Sequence, residues 1–114
     1  MVLPMFHAAT APLSHFSPLH IGDMIFTMRR FELESYLRNV EKHQITEGAF
    51  VPPMVHMINA SEYMQKNPDA LKSIRLGHTG AAPLDAESQW RLKKFLRSDC
   101  TLTQVWGMTE TSCT

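Results

Sequence analysis

The sequence predicts an α/β fold with a largely parallel sheet and flanking helices. Two observations carry this. Short strand-like runs alternate along the chain with stretches of helical periodicity, and helix-start signals stand between them; no internal repeat or low-complexity linker breaks the alternation.

Met1 to Phe6 is apolar at once and reads as the middle of an element, a first sign that the chain is a fragment. From Ala8 to His20 no regular helix is expected, because Pro12 and Pro18 interrupt it. Asp23 to Met28, between Gly22 and Arg29-Arg30, has the profile of a buried strand. Between Glu32 and His43, Leu33, Tyr36, Leu37 and Val40 fall at helical steps. Glu32 and Glu34 lie in the first turn and Lys42 and His43 in the last, matching the helix dipole. Thr46 to Phe50 reads as a short strand. Pro52-Pro53 suits the first turn of a helix through Met54, Val55, Met57 and Ile58, which Asn67-Pro68-Asp69 breaks. Ser73 to Gly77 reads as a strand leading toward Gly80. Asp85 caps a helix from about Ala86 to Arg97, and Thr101 to Trp106 is rich in strand formers.

The 114 residues, 44% hydrophobic and 19% charged, have the composition of one globular unit. A chain of this size buries roughly two-thirds of its unfolded surface, enough for a single core. Eleven basic residues balance eleven acidic ones, so no positive field gathers nucleic acid or anionic lipid. The densest basic run, Arg91 to Arg97, interleaves apolar residues at helical spacing and reads as a solvated helix face. Cys100 and Cys113 have no framework spacing, which fits a reducing compartment and needs no disulfide. Neither a signal-peptide pattern nor an uninterrupted transmembrane-length apolar run is present.

Two strings stand apart from this scaffold: Thr79-Gly80-Ala81-Ala82-Pro83-Leu84, and Gln104 to Thr111 with Trp106-Gly107-Met108-Thr109-Glu110 inside it. Each follows an expected strand, so both should emerge at the carboxyl edge of a parallel sheet, where ligands collect. Gly80 and two alanines let backbone approach a flat ring or a phosphate. Thr109 offers a hydroxyl donor, Glu110 a hard oxygen suited to magnesium, and Trp106 an aromatic face. The same residues also admit a plain reading, with Gly80 to Leu84 a tight turn into a helix and Trp106 a core aromatic. His7 is open in the same way, as a partly buried histidine closing a strand. With His15 and His20 it lacks the spacing of a zinc site. The eight methionines read as adaptable core filler.

Three strings in order, Leu3-Pro4-Met5-Phe6-His7, Gly80-Ala81-Ala82-Pro83-Leu84 and Trp106-Gly107-Met108-Thr109-Glu110, resemble successive motifs of the acyl-CoA synthetase and 4-coumarate-CoA ligase branch of the adenylate-forming superfamily. Phe31-Glu32, Val51-Pro52-Pro53 and Ser73-Ile74-Arg75 fit the same pattern, so the likeness spans nearly the whole chain. It implies a partial doubly wound sheet and an AMP-forming ligase using ATP, magnesium and coenzyme A. It further implies that Gly80, Ala81, Ala82 and Pro83 border the adenine, with Trp106 where the family usually has tyrosine, followed by Gly107 and Met108 in the nucleotide site. Thr109 would hold the α-phosphate and Glu110 would help bind magnesium. His7 would stand near the reacting carboxylate, with Phe50, Val51 and Gly80 shaping the acyl pocket. Ala9 occupies a place where some coumarate ligases have tyrosine, which leaves the acid open.

The family's phosphate loop, expected upstream, and its ribose-binding aspartate, hinge and C-terminal domain, expected downstream, are not in these residues. Residues 1–114 are therefore expected to be part of an AMP-binding domain, inactive alone in ATP–pyrophosphate exchange. The alternative is a short non-catalytic remnant that keeps a nucleotide-binding or interaction surface. An intracellular site is expected, cytoplasmic or peroxisomal.

Overall fold

The computed structural model describes residues 1–113, with side chains through Thr111. In chain order the elements are a π-helical turn at Pro12–Phe16, α1 (Ser17–Ile21), α2 (Leu33–His43), β1 (Glu47–Phe50), α3 (Pro52–Ala60), α4 (Glu62–Lys66), β2 (Leu76–Thr79), α5 (Ala86–Phe95), β3 (Thr101–Gln104), β4 (Gly107–Met108) and β5 (Ser112–Cys113). They form two compact units, Glu32–Val105 and the remainder on either side of it.

The Glu32–Val105 unit is the expected α/β structure. Its three strands are parallel, in the order β1-β2-β3, with Phe50 opposite Thr79 and Thr79 opposite Gln104. Helices make both crossovers, as parallel neighbours require. Register partners share a face, so Gly48, Phe50, Gly77, Thr79 and Leu102 lie on one side of the sheet. Phe50 is 1% exposed there, and the two glycines make room for it. A Cβ on Gly48 would stand 2.9 Å from the Phe50 ring, and one on Gly77 would stand 2.8 Å from Leu102 Cδ1. Leu37 and Val40 of α2, Val55 and Ile58 of α3, Met64 of α4 and Leu92 of α5 complete the core with Leu71, Ile74 and Leu96.

Helix boundaries follow the local chemistry. Glu32 caps α2 by accepting from the Glu34 and Ser35 amides at 3.0 and 2.7 Å. Pro52 and Pro53 occupy the first turn of α3, where a missing N–H costs nothing. Asp85 caps α5 by accepting from the Ser88 amide at 2.8 Å. The far end of α5 is closed by a residue distant in sequence: Lys72 Nζ donates to the carbonyls of Lys94 and Leu96 at 2.8 and 2.9 Å. The helix stops at Phe95, short of the expected Arg97. Ser61, unassigned from sequence, ends α3 and caps α4 through the Met64 amide.

Several expectations need correction. Asp23 to Met28 is not a buried strand: no ladder forms, and Met24 is 79% exposed. Its apolar composition suits a strand, but a strand needs a paired neighbour, and what this backbone meets is Met1, whose carbonyl accepts from the Met28 amide at 3.1 Å. The β2 strand begins at Leu76 rather than Ser73, because Ser73 turns its hydroxyl to the Ile45 carbonyl and Ile74 closes a turn onto Leu71. β3 ends at Gln104, before Trp106. The prolines between Ala8 and His20 are absorbed rather than breaking the helix. Pro12 and Pro18 sit in first turns, and the Ser17 amide reaches back five residues to the Pro12 carbonyl. The β4–β5 hairpin was not expected at all.

No helix among the described residues is long and apolar enough to cross a membrane.

Candidate functional site

In the Glu32–Val105 unit, β2 and β3 end side by side, and the chain between β2 and α5 forms a loop at that edge. The Thr79 carbonyl accepts from the Val105 amide at 2.7 Å. This brings Gly80 so close that a Cβ there would lie 2.8 Å from Val105 Cγ2 and 3.0 Å from the Val105 carbonyl oxygen. Only glycine fits without displacing backbone. Ala81 then adopts φ 71°, a left-handed conformation that alanine rarely takes and that concentrates at functional sites. Ala81, Ala82 and Pro83 are exposed, so the loop presents a low rim of small side chains. Leu84 returns to the core, and its carbonyl accepts from Gln89 Nε2 at 2.8 Å and Gln104 Nε2 at 3.2 Å. Asp85 follows, its carboxyl held below the usual range chiefly by the Ser88 backbone amide.

The turn-into-helix reading of Gly80 to Leu84 is thus correct as geometry, and the strain at Ala81 is what it leaves unexplained. Beside the loop, Thr79 is 1% exposed, and its Oγ1 has no hydrogen-bond partner, nor does His78 Nδ1. Phe50 joins this edge as the register partner of Thr79, but its ring lies in the core; Val51 is half-buried at the start of α3.

The remaining residues singled out from sequence lie in the other unit. Trp106 is 69% exposed and is not a core aromatic. Gly107 and Met108 form β4, which pairs antiparallel with β5 in the register Gly107↔Cys113 and Met108↔Ser112. Thr109 and Glu110 therefore sit at the tip of a hairpin, both exposed, in a turn that the Thr111 amide closes onto the Met108 carbonyl at 3.1 Å. His7 is exposed in a turn rather than half-buried at a strand end. Its Nδ1 accepts from the Ala9 amide at 3.1 Å, while its carbonyl accepts from Thr10 and Ala11.

Chemically, the loop after β2 supplies a small-residue rim; in the other unit, Trp106, Thr109 and Glu110 supply an aromatic face, a hydroxyl donor and a free-standing carboxylate. No cluster of three His, Cys, Asp or Glu gathers among the described residues. A lone exposed carboxylate such as Glu110 is a hard oxygen donor of the kind magnesium accepts. It does not fit an all-protein metal cage. Gln89 and Gln104 were given no role from sequence. Gln104 at least opens the string that runs to Thr111, but nothing local marks Gln89.

Residues 1–114 match the family described as AMP-binding enzyme. A phenylacetyl-CoA ligase of Aspergillus niger is 48% identical over 97% of this chain, which spans 21% of that protein. An acyl-CoA synthetase of Alternaria alternata is 49% identical over 96% of the chain, which spans 19% of it. The chain thus covers about a fifth of the length of these curated relatives. Among solved structures, o-succinylbenzoate coenzyme A synthetase from Bacillus subtilis, in complex with ATP and magnesium ion, superposes with a TM-score of 0.78. That match has 21% identity and covers 96% of this chain and 21% of the other; it establishes a shared fold.

Proposed function

The chain belongs to the AMP-binding enzyme family, and from that membership we propose that it is a segment of an AMP-forming acid–CoA ligase. The observation that carries the reading is the loop after β2: an exposed rim of Ala81, Ala82 and Pro83, strained at Ala81, at the carboxyl ends of two adjacent parallel strands.

In this reading a carboxylate oxygen of the acid attacks the α-phosphorus of ATP, expelling pyrophosphate and leaving an acyl-adenylate. The thiol of coenzyme A then attacks the acyl carbon and releases AMP. Gly80 to Pro83 border the adenine, and Trp106 offers a stacking face without the phenol hydroxyl of a tyrosine. Gly107 and Met108 carry the hairpin that holds Thr109, whose hydroxyl donates to an α-phosphate oxygen. Glu110 would hold magnesium, which would supply neutralisation of the phosphate charge. The family resemblance assigns His7 to the reacting carboxylate, and Phe50, Val51 and Gly80 to the shaping of the acyl pocket, Phe50 from within the core. The family's phosphate loop and C-terminal domain are not among residues 1–114, and in this reading the 114-residue chain alone gives no exchange above background. The phenylacetyl-CoA ligase relative makes arylacetic acids the first acids to try.

The test is AMP release by the native gene product carrying this chain, given ATP, magnesium, coenzyme A and a panel of arylacetic, hydroxycinnamic and fatty acids. AMP formation that requires both an acid and coenzyme A supports the ligase. A purified product of about 13 kDa that forms no AMP with any acid would favour the non-catalytic remnant.

A further inference from the structure

We propose that Gln104 and Gln89 are positioning residues for the nucleotide, acting together on the carbonyl of Leu84. The inference rests on the reading that Gly80 to Pro83 border the adenine.

The loop's start is fixed by the Thr79–Val105 hydrogen bond and by the close contact of Gly80 with Val105. Its exit needs an equal restraint. Ala81 is held at φ 71°, and a looser exit from the six-residue loop at residues 80–85 would let that angle relax. Pro83 has no amide hydrogen with which to tie the backbone down. The restraint comes from the next residue. A carbonyl oxygen has two lone pairs, and at Leu84 both find side-chain amides, Gln89 Nε2 at 2.8 Å and Gln104 Nε2 at 3.2 Å.

The two donors come from different elements, one from α5 and one from the end of β3, so they hold the loop exit from two sides. Neither bond is part of helix or strand hydrogen bonding. The first turn of α5 is already secured by Asp85 and by Asn59 Nδ2 donating to the Ser88 carbonyl at 3.0 Å. What the glutamines add is a fixed position for the rim of Ala81, Ala82 and Pro83. Their amide character is essential, since a carboxylate in the same place would set oxygen against oxygen.

The experiment uses the native polypeptide and four variants: Gln104→Glu, Gln104→Leu, Gln89→Glu and, as a direct probe of the rim, the exposed Ala82→Leu. Each glutamine variant is expected to raise the KM for ATP roughly three- to tenfold while the KM for acid and for coenzyme A stays put, with Glu worse than Leu at position 104. Ala82→Leu is expected to raise the same constant by blocking the ring. A rise with Ala82→Leu but none with the glutamine variants overturns the positioning role and leaves the adenine reading intact. If none of the four moves the KM for ATP, the adenine reading itself is wrong. If a glutamine variant lowers kcat or thermal stability with the ATP constant unchanged, the side chain is merely structural and the proposal fails. Should Gln104→Glu not fold, Gln104→Leu and Gln89→Glu decide the question.

Discussion

Ala81 is the residue at which the loop after β2 holds its strain, and no sequence rule announces it. A left-handed φ of 71° would be read from a glycine or an asparagine, not from the second residue of Gly80-Ala81-Ala82-Pro83. A β-branched side chain suffers more there, so Ala81→Val should lower stability by about 1–3 kcal/mol, read from the denaturant midpoint of the native polypeptide. Asp85, by contrast, was legible: an aspartate before a helical pattern is a cap, and it is one. Its carboxyl is held low chiefly by the Ser88 amide, so it binds a proton less readily folded than unfolded. The stability it contributes is present above the ordinary carboxylate range near pH 4 and is lost as pH falls through the lower folded value. Asp85→Asn keeps a capping oxygen but should flatten that acid limb, which a series of melting curves between about pH 2 and 6 would show. An unchanged acid limb would mean that the cap is not coupled to folding.

The elements divide by how local their causes are. Helices α2, α3 and α5 were visible because their apolar spacing, caps and first-turn prolines are all written within a dozen residues. The strand expected at Asp23 to Met28 failed because apolar composition says nothing about the neighbour a strand must pair with. The hairpin at Trp106 onward was missed because two-residue strands have no periodicity to read. The closure of α5 by Lys72 is invisible for a similar reason, since donor and acceptors are 22 and 24 residues apart. Lys72→Met should cost about 1 kcal/mol, because the last carbonyls of α5 return to water at a solvent-facing end. Leu92 on the same helix is 0% exposed, and Leu92→Ala should cost about 2–5 kcal/mol from lost burial and the cavity left behind. Equal losses for the two would contradict this division between core packing and helix-end capping.

For the whole molecule, the alternation of strands and helices sufficed for a parallel α/β sheet, and three motif strings sufficed for the family. What the sequence left hidden is how the loop after β2 is held: the Gly80–Val105 approach and the two glutamines on Leu84 exist only once β2 and β3 lie side by side. Thr109 sits exposed at its hairpin tip, where a hydroxyl can meet a phosphate. Losing a hydrogen bond to a charged group there should cost about 1.5–3 kcal/mol, or roughly ten- to a hundredfold in adenylation rate. The most direct measurement is therefore acid-dependent ATP–pyrophosphate exchange by the native polypeptide and its Thr109→Val variant. Exchange in the first, slowed roughly ten- to a hundredfold in the second, is the expected result. Equal exchange in both would contradict the placement of the phosphate, and no exchange with any acid would contradict the ligase itself.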